Sequence, residues 1–249
     1  AWLMARLGAE VVITGRSEEK LEAVAGAITT AGLSARPWVL DIREREQVFD
    51  TFARLKSEIG VPHHLVNSAG GQFPQPAIDF SAKGWNTVIN TNLNGTWHMM
   101  QAAAQLWRDT QQAGCITNIV VVPQGLFGVA HTCAARAGVI ALSESVAVEW
   151  APLQIRINCI APGAIKTEGW AVYDAATAAK YPKTNPLMRA GSSWEIAEAC
   201  VFLGSPSGEF ITGEVLTVDG GGQHWGEIWS AGKPEYFSAA TRLWDDDNR

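Results

Sequence analysis

Two kinds of apolar patterning alternate along the chain. Short runs that are apolar at successive positions and rich in β-branched residues recur at Glu10 to Thr14, Ala35 to Leu40, His64 to Asn67, Cys115 to Val122, Gln154 to Ala161 and Glu214 to Val218. Between them lie longer stretches with helical periodicity, from Ser17 to Gly32 and over 44–60, 81–109, 131–151 and 193–204. The short runs predict strands covered on both faces, and their alternation with helices predicts a parallel sheet between two helical layers, a doubly wound α/β (Rossmann) fold. Local punctuation agrees. Ser17 precedes Glu18 and Glu19 as an N-cap ahead of an acidic first turn, Gly32 marks a helix stop, and Ser192 with Glu195 three residues on reads as a capping box. A short apolar helical segment, Ala1 to Leu7, comes first.

No linker, composition break or internal repeat divides residues 1–249, so a single domain is expected. The stretch 167–190, with Tyr173, Tyr181, Pro182 and Pro186, follows neither period and reads as a lid. Residues 222–249 read as a C-terminal tail.

Composition narrows the function classes. With 47% hydrophobic and 18% charged residues, the 249-residue chain can bury a large core without disulfides or metals, and it has no apolar run of the ~18 residues needed to span a bilayer. Nineteen basic against 25 acidic residues give a net charge of −6, opposite to the basic footprint of nucleic-acid binding. The four cysteines, Cys115, Cys133, Cys159 and Cys200, form no metal-binding spacing, and a reducing, cytoplasmic setting is expected. A small-molecule ligand remains the natural partner.

In an open parallel sheet, ligands bind beyond the carboxyl ends of the strands. The residues there are Gly15-Arg16, Asp41-Ile42, Asn67-Ser68-Ala69-Gly70-Gly71, Pro123-Gln124-Gly125, and Pro162-Gly163 followed by Ile165, Lys166 and Thr167. Glycine-rich turns let a ligand approach the backbone, and the Asp41 carboxylate accepts hydrogen bonds from an amine edge. A nucleotide suits such a site.

NSAG at Asn67 to Gly70, Asn92 in NLNG, the turn at Pro162 with Thr167 downstream, and TVDGG at Thr217 to Gly221 occur in an order and spacing similar to the short-chain dehydrogenase/reductase family, across nearly the whole chain. The resemblance implies that Asp41 and Ile42 meet adenine, that Asn67, Ser68, Ala69 and Gly70 line the ribose, that Pro162, Gly163, Ile165 and Thr167 face the nicotinamide, and that Asn92 is catalytic. Gly15 stands where NAD-selective members carry a carboxylate, and Arg16 follows it, which favours the 2′-phosphate of NADP(H). The resemblance also implies a homotetramer built on the helices at 81–109 and 131–151, with alanine faces at 102–104 and 141–147. It further implies a strand and a glycine-rich pyrophosphate turn ahead of residue 1, so the sequence reads as N-terminally truncated.

One departure bears on the chemistry. The family's usual acid is the tyrosine of a YxxxK motif, with a serine on the preceding strand. Here Thr132 and Arg136 take those two positions, the strand reads Ile119-Val-Val-Val122, and all three tyrosines lie beyond residue 170. Threonine is a poor general acid and arginine keeps its proton. The run His131 to Val139, the segment Gly70 to Phe73, the stretches Lys83 to Trp85 and Thr91 to Thr96, and Glu149 through Gly163 resemble the trans-2-enoyl-CoA reductase branch, with 2,4-dienoyl-CoA reductases as cousins. That branch carries a tyrosine where this chain has Ile140.

Reduction of a conjugated thioester needs donors for an enolate oxygen more than it needs a strong acid. Asn92 and Thr132 are the candidate donors, Arg136 the organiser of the cofactor ribose, and His131 a candidate proton donor. Each also has a structural reading: Asn92 as a tie across a helix kink, Thr132 as an N-cap, and His131 as a packing residue at a helix start. Gln124, Tyr173 and Tyr181 are candidate substrate contacts, and Lys180, Lys183 and Arg189 candidates for coenzyme A phosphates. The substrate is then an acyl thioester. Other readings are a dehydrogenase of an acyclic terpenoid or fatty alcohol and its aldehyde, and a nucleotide-binding protein without turnover.

Overall fold

A computed structural model describes residues 1–122, 126–168 and 175–225, with only the backbone at 177, 178 and 181. Helix α1 (Trp2–Arg6) leads to β1 (Val11–Gly15), α2 (Glu18–Thr30), β2 (Ala35–Val39), α3 (Arg45–Glu58) and β3 (His64–Asn67). Helices α4 (Ala82–Ile89) and α5 (Thr96–Thr110), β4 (Gly114–Ile119), α6 (Ala130–Trp150) and β5 (Ile155–Pro162) follow. The chain continues through β6 (Ile165–Lys166), α7 (Ala175–Ala178), β7 (Gly191–Ser192), α8 (Ser193–Gly204) and β8 (Val215–Val218). The expected start signals operate. Ser17 caps α2 by accepting the Lys20 N–H, and Ser192 and Glu195 form the reciprocal capping box of α8.

Strands β3, β4, β5 and β8 form one parallel sheet in that order, with Ile116 opposite Leu65 on one side and Ile157 on the other. β4 and β5 are buried almost throughout, as strands covered by helices on both faces must be. β1 and β2 form a separate parallel pair in which Gly15 lies opposite Val39. β1 and β3 do not pair with each other, as the expected absence of a strand between them implies, and β1 is only half buried. Helices bridge the two sheets: Leu40, Val48 and Phe52 share a core with Met99, Met100, Trp107 and Ile116. Among the described residues no helix is long and apolar enough to cross a membrane.

Two boundaries differ from the sequence reading in ways that shape the site. The helix expected over 81–109 is broken by a π turn at Asn90–Gly95, whose wider winding turns Asn92 inward. The strand expected to reach Val122 ends at Ile119, one residue before Val120 N–H donates to Ile160 O in the last rung of the ladder. The alanines at 102–104, read as an interface face, are buried at 3%, 0% and 6% exposure in the protomer's own core. On α6, Ala147 is buried as well, while Ala141 and Val148 stay exposed.

Candidate active site

The glycine turn after β3 leaves the sheet from a fixed post. Asn67 donates through Nδ2 to Asn118 Oδ1 at 2.8 Å, Asn118 donates to Ser143 Oγ at 2.9 Å, and Ser143 donates to Val139 O at 2.7 Å. This buried chain ties β3 to β4 and α6. It commits the Asn67 side chain to the sheet, and leaves Ser68, Ala69 and Gly70 exposed at the sheet end. Asn118 and Ser143 were not singled out in the sequence, because an asparagine inside an apolar strand gives no periodic signal.

From the π turn, Asn92 reaches this turn and α6 together. It is 1% exposed, and its Oδ1 accepts Gly71 N–H while its Nδ2 donates to Gly71 O and to Thr132 Oγ1, all at 2.9 Å. The expected tie is thus present and takes both amide hydrogens of Asn92, while Thr132 Oγ1, used as an acceptor by Asn92, keeps its own O–H to donate. Gly95 makes the π turn possible here, since a Cβ on it would lie 2.6 Å from Ile42 Cγ1. Ile42 therefore packs against the turn.

One turn further along α6, Arg136 lies over Gly70. Its Nη2 donates to Ala69 O at 3.1 Å and would be 2.0 Å from a Cβ at position 70, so only glycine fits there. Burial pulls the guanidinium down to about 10, which still leaves it charged at neutral pH. Its Nη1 is buried without a partner. A buried donor without a partner, on a guanidinium that lies against a glycine turn, is what a ribose hydroxyl would satisfy, so this cradle fits a nucleotide cofactor.

At the ends of β1 and β2, Arg16 is exposed and Leu40 N–H donates to Gly15 O at 2.8 Å, which brings Arg16 alongside Asp41. Arg43 grips both Asp41 oxygens, with Nε at 2.9 and 3.0 Å, and holds the carboxyl below its usual range. Asp41 therefore meets a ligand only with the lone pairs that Arg43 leaves. Arg43, hidden in the run of alternating charges Asp41 to Glu46, adds a second cation to this edge.

The Pro162-Gly163 turn docks on the end of β8, where Gly163 N–H donates to Val218 O at 3.0 Å. β6 and β7 pair beyond it, with Ile165 opposite Gly191, and so tie both ends of the expected lid together. Lys166 and Thr167 are exposed there. Arg189, a candidate for coenzyme A phosphates, is instead paired with both Glu195 oxygens at 3.1 and 2.6 Å, and these bonds draw the Glu195 carboxyl down to about 2. Lys180 and Lys183 remain exposed. Gln124 and Tyr173 lie outside the described residues, as does the Tyr181 side chain, whose backbone forms a turn at Tyr181–Lys183.

His131 precedes Thr132 at the start of α6 and is 0% exposed. Phe80 stacks on its ring and Phe73 meets it edge-on, both with centroids at 4.5 Å. Phe73 closes the Gly70 to Phe73 segment noted in the sequence, whereas Phe80 did not stand out there, because it belongs to the irregular segment between β3 and α4.

Comparison with known proteins places this arrangement. The family described as enoyl-(acyl carrier protein) reductase matches residues 1–223. The Bacillus subtilis (strain 168) protein named "Probable 2,4-dienoyl-CoA reductase [(2E)-enoyl-CoA-producing]" is 37% identical over 223 residues, covering 87% of this chain and 88% of its own. Among solved structures, a citronellol catabolism dehydrogenase (AtuB) of Pseudomonas aeruginosa PAO1 is 38% identical with a TM-score of 0.78, covering 88% of this chain and 87% of its own. A gluconate 5-dehydrogenase from Burkholderia cenocepacia J2315, in complex with NADP and tartrate, is 31% identical with a TM-score of 0.83, covering 89% and 88%.

Proposed function

This chain belongs to the short-chain dehydrogenase/reductase family of oxidoreductases, and from that premise we propose that it uses NADP(H) to reduce the carbon–carbon double bond of a trans-2-enoyl-CoA thioester. The observation that carries the reading is the pairing of Asn92 with Thr132 beside a buried arginine. Such a site offers fixed hydrogen-bond donors and a charge that does not move, and lacks the tyrosine-lysine couple that carbonyl reduction uses.

The nicotinamide supplies a hydride when bound. Arg136 holds the ribose through its open Nη1, and Arg16, with Arg43 beside it, receives the 2′-phosphate. Asp41 and Ile42 border the adenine, Ser68 to Gly70 border the ribose, and Pro162, Gly163, Ile165 and Thr167 border the nicotinamide. The Thr132 hydroxyl donates toward the substrate, with Asn92 fixing its direction, and water delivers the proton to the α-carbon. We further propose that protomers associate through the exposed face of α6 around Ala141 and Val148 into a homotetramer.

A second reading, oxidation of an acyclic terpenoid or fatty alcohol, is supported by the likeness to the citronellol catabolism dehydrogenase. The two separate when the protein, expressed from its whole gene, is offered NADPH with trans-2-octenoyl-CoA and, in parallel, with citral. Oxidation of NADPH by the thioester alone supports double-bond reduction, and oxidation by the aldehyde alone supports the second reading.

A further inference from the structure

One buried donor has no part in the reaction as proposed. Nδ1 of His131 lies 2.8 Å from the N–H of Thr132, and because a backbone N–H only donates, Nδ1 carries the lone pair and the neutral ring holds its one proton on Nε2. That Nε2 is buried without a partner. Phe73 and Phe80 fix the plane of the ring but offer it no acceptor. A histidine kept only for packing gains nothing from an N–H buried in this way, and an unmade bond inside the protein is costly.

The ring adjoins both the chemistry and an apolar approach. Thr132, its neighbour in sequence, is the hydroxyl held by Asn92. Gln75 N–H donates to Gly128 O at 2.8 Å, which pins the loop leading to α6 against the segment that carries Phe80. On these two joined loops, one carrying Phe80 and the other leading into His131, Ile78 and Phe127 are 94% and 93% exposed, so apolar side chains stand in water on the segments that adjoin the buried imidazole in sequence. An apolar chain ending in a single carbonyl acceptor matches this combination.

We propose that His131 donates its Nε2–H to the carbonyl oxygen of the substrate thioester, with the acyl chain lying across Ile78 and Phe127. The inference rests on the reaction proposed above and gives it a specific oxyanion donor. When hydride adds to the β-carbon, the electron pair of the double bond moves toward the carbonyl and negative charge gathers on the oxygen. The imidazole bonds that oxygen without giving up its proton. The pair then returns to the α-carbon, which takes a proton from water, and the carbonyl re-forms. His131 is thus a hydrogen-bond donor at the reacting oxygen, in place of the proton donor suggested by its residue type.

Two substitutions separate the ring's two ends. In His131→Asn the side-chain oxygen stands near Nδ1 and still accepts Thr132 N–H, but nothing reaches the Nε2 position. In His131→Gln the amide nitrogen stands near Nε2. The carbonyl band of bound octanoyl-CoA labelled with carbon-13 at the thioester reports the bond without turnover, and trans-2-octenoyl-CoA with NADPH reports its effect on rate. In the wild type the band shifts to lower frequency than in solution. The inference expects His131→Asn to return it to the solution value and to lower kcat about 10²-fold with KM changed less than threefold, and His131→Gln to restore most of both. If His131→Asn keeps the wild-type band and kcat, or if both variants lose rate equally with the band unmoved, the inference fails while the reaction stands. If the wild type reduces only citral, the reaction itself fails.

Discussion

The side chains of Asn92 and Thr132, 40 residues apart, meet at 2.9 Å, with the asparagine amide donating to the threonine hydroxyl oxygen. The bond joins the π turn to the start of α6, and the same amide holds both polar groups of the Gly71 backbone. The hydroxyl oxygen is therefore held by one bond from an amide that two further bonds fix on Gly71. Thr132→Val keeps the shape and removes the donor, and is expected to lower kcat on an enoyl thioester by about 10²-fold, whereas Thr132→Ser stays within a few-fold of wild type. Steady-state kinetics with urea unfolding alongside checks this, and equal losses in both variants would deny the hydroxyl a role.

Cofactor choice rests on the edge where Arg16 stands beside Asp41 and Arg43. A charged hydrogen bond to phosphate contributes about 1.5–3 kcal/mol, so Arg16→Ala is expected to weaken NADPH binding about 10- to 100-fold and NADH binding less than threefold. Fluorescence titration of the two cofactors measures it. Equal weakening of both would remove Arg16 from 2′-phosphate recognition.

His64 makes stability depend on pH. Its Nε2 meets Thr117 Oγ1 at 2.9 Å between β3 and β4, and burial, aided by the charge of Arg156, lowers it from 6.5 to about 4. The unfolded chain thus binds a proton that the folded one refuses between these values. Stability is complete above pH about 6.5 and falls as pH drops toward about 4, by about 3 kcal/mol at most. The stability difference between wild type and His64→Gln, followed by urea unfolding from pH 7 to 4.5, should shrink across that interval. A difference that stays constant would contradict the assignment.

Much of this architecture is legible in the residues because local and global signals agree. Ser17, Ser192 and Glu195 cap the helices they announce, and the doubly apolar runs become the parallel strands β3, β4, β5 and β8. Asn92, Thr132, Arg136 and Gly70 converge as the family motifs imply. What the sequence hides is pairing between side chains distant along the chain. Nothing local shows that Arg189 is taken by Glu195, that Arg43 closes on Asp41, or that Phe73 and Phe80 enclose His131. The alanines at 102–104 mislead for a similar reason, since a small residue permits close approach by any neighbour, and the neighbour here is the protomer's own core.

The destination of the hydride decides the account. With trans-2-octenoyl-CoA and NADPH deuterated on the transferred face of C4, the protein expressed from its whole gene is expected to yield octanoyl-CoA with one deuterium at C3 and none at C1, read by mass spectrometry of the acyl fragment. Deuterium at C1 of a released alcohol, or NADPH left intact by the thioester while citral is reduced, would contradict it.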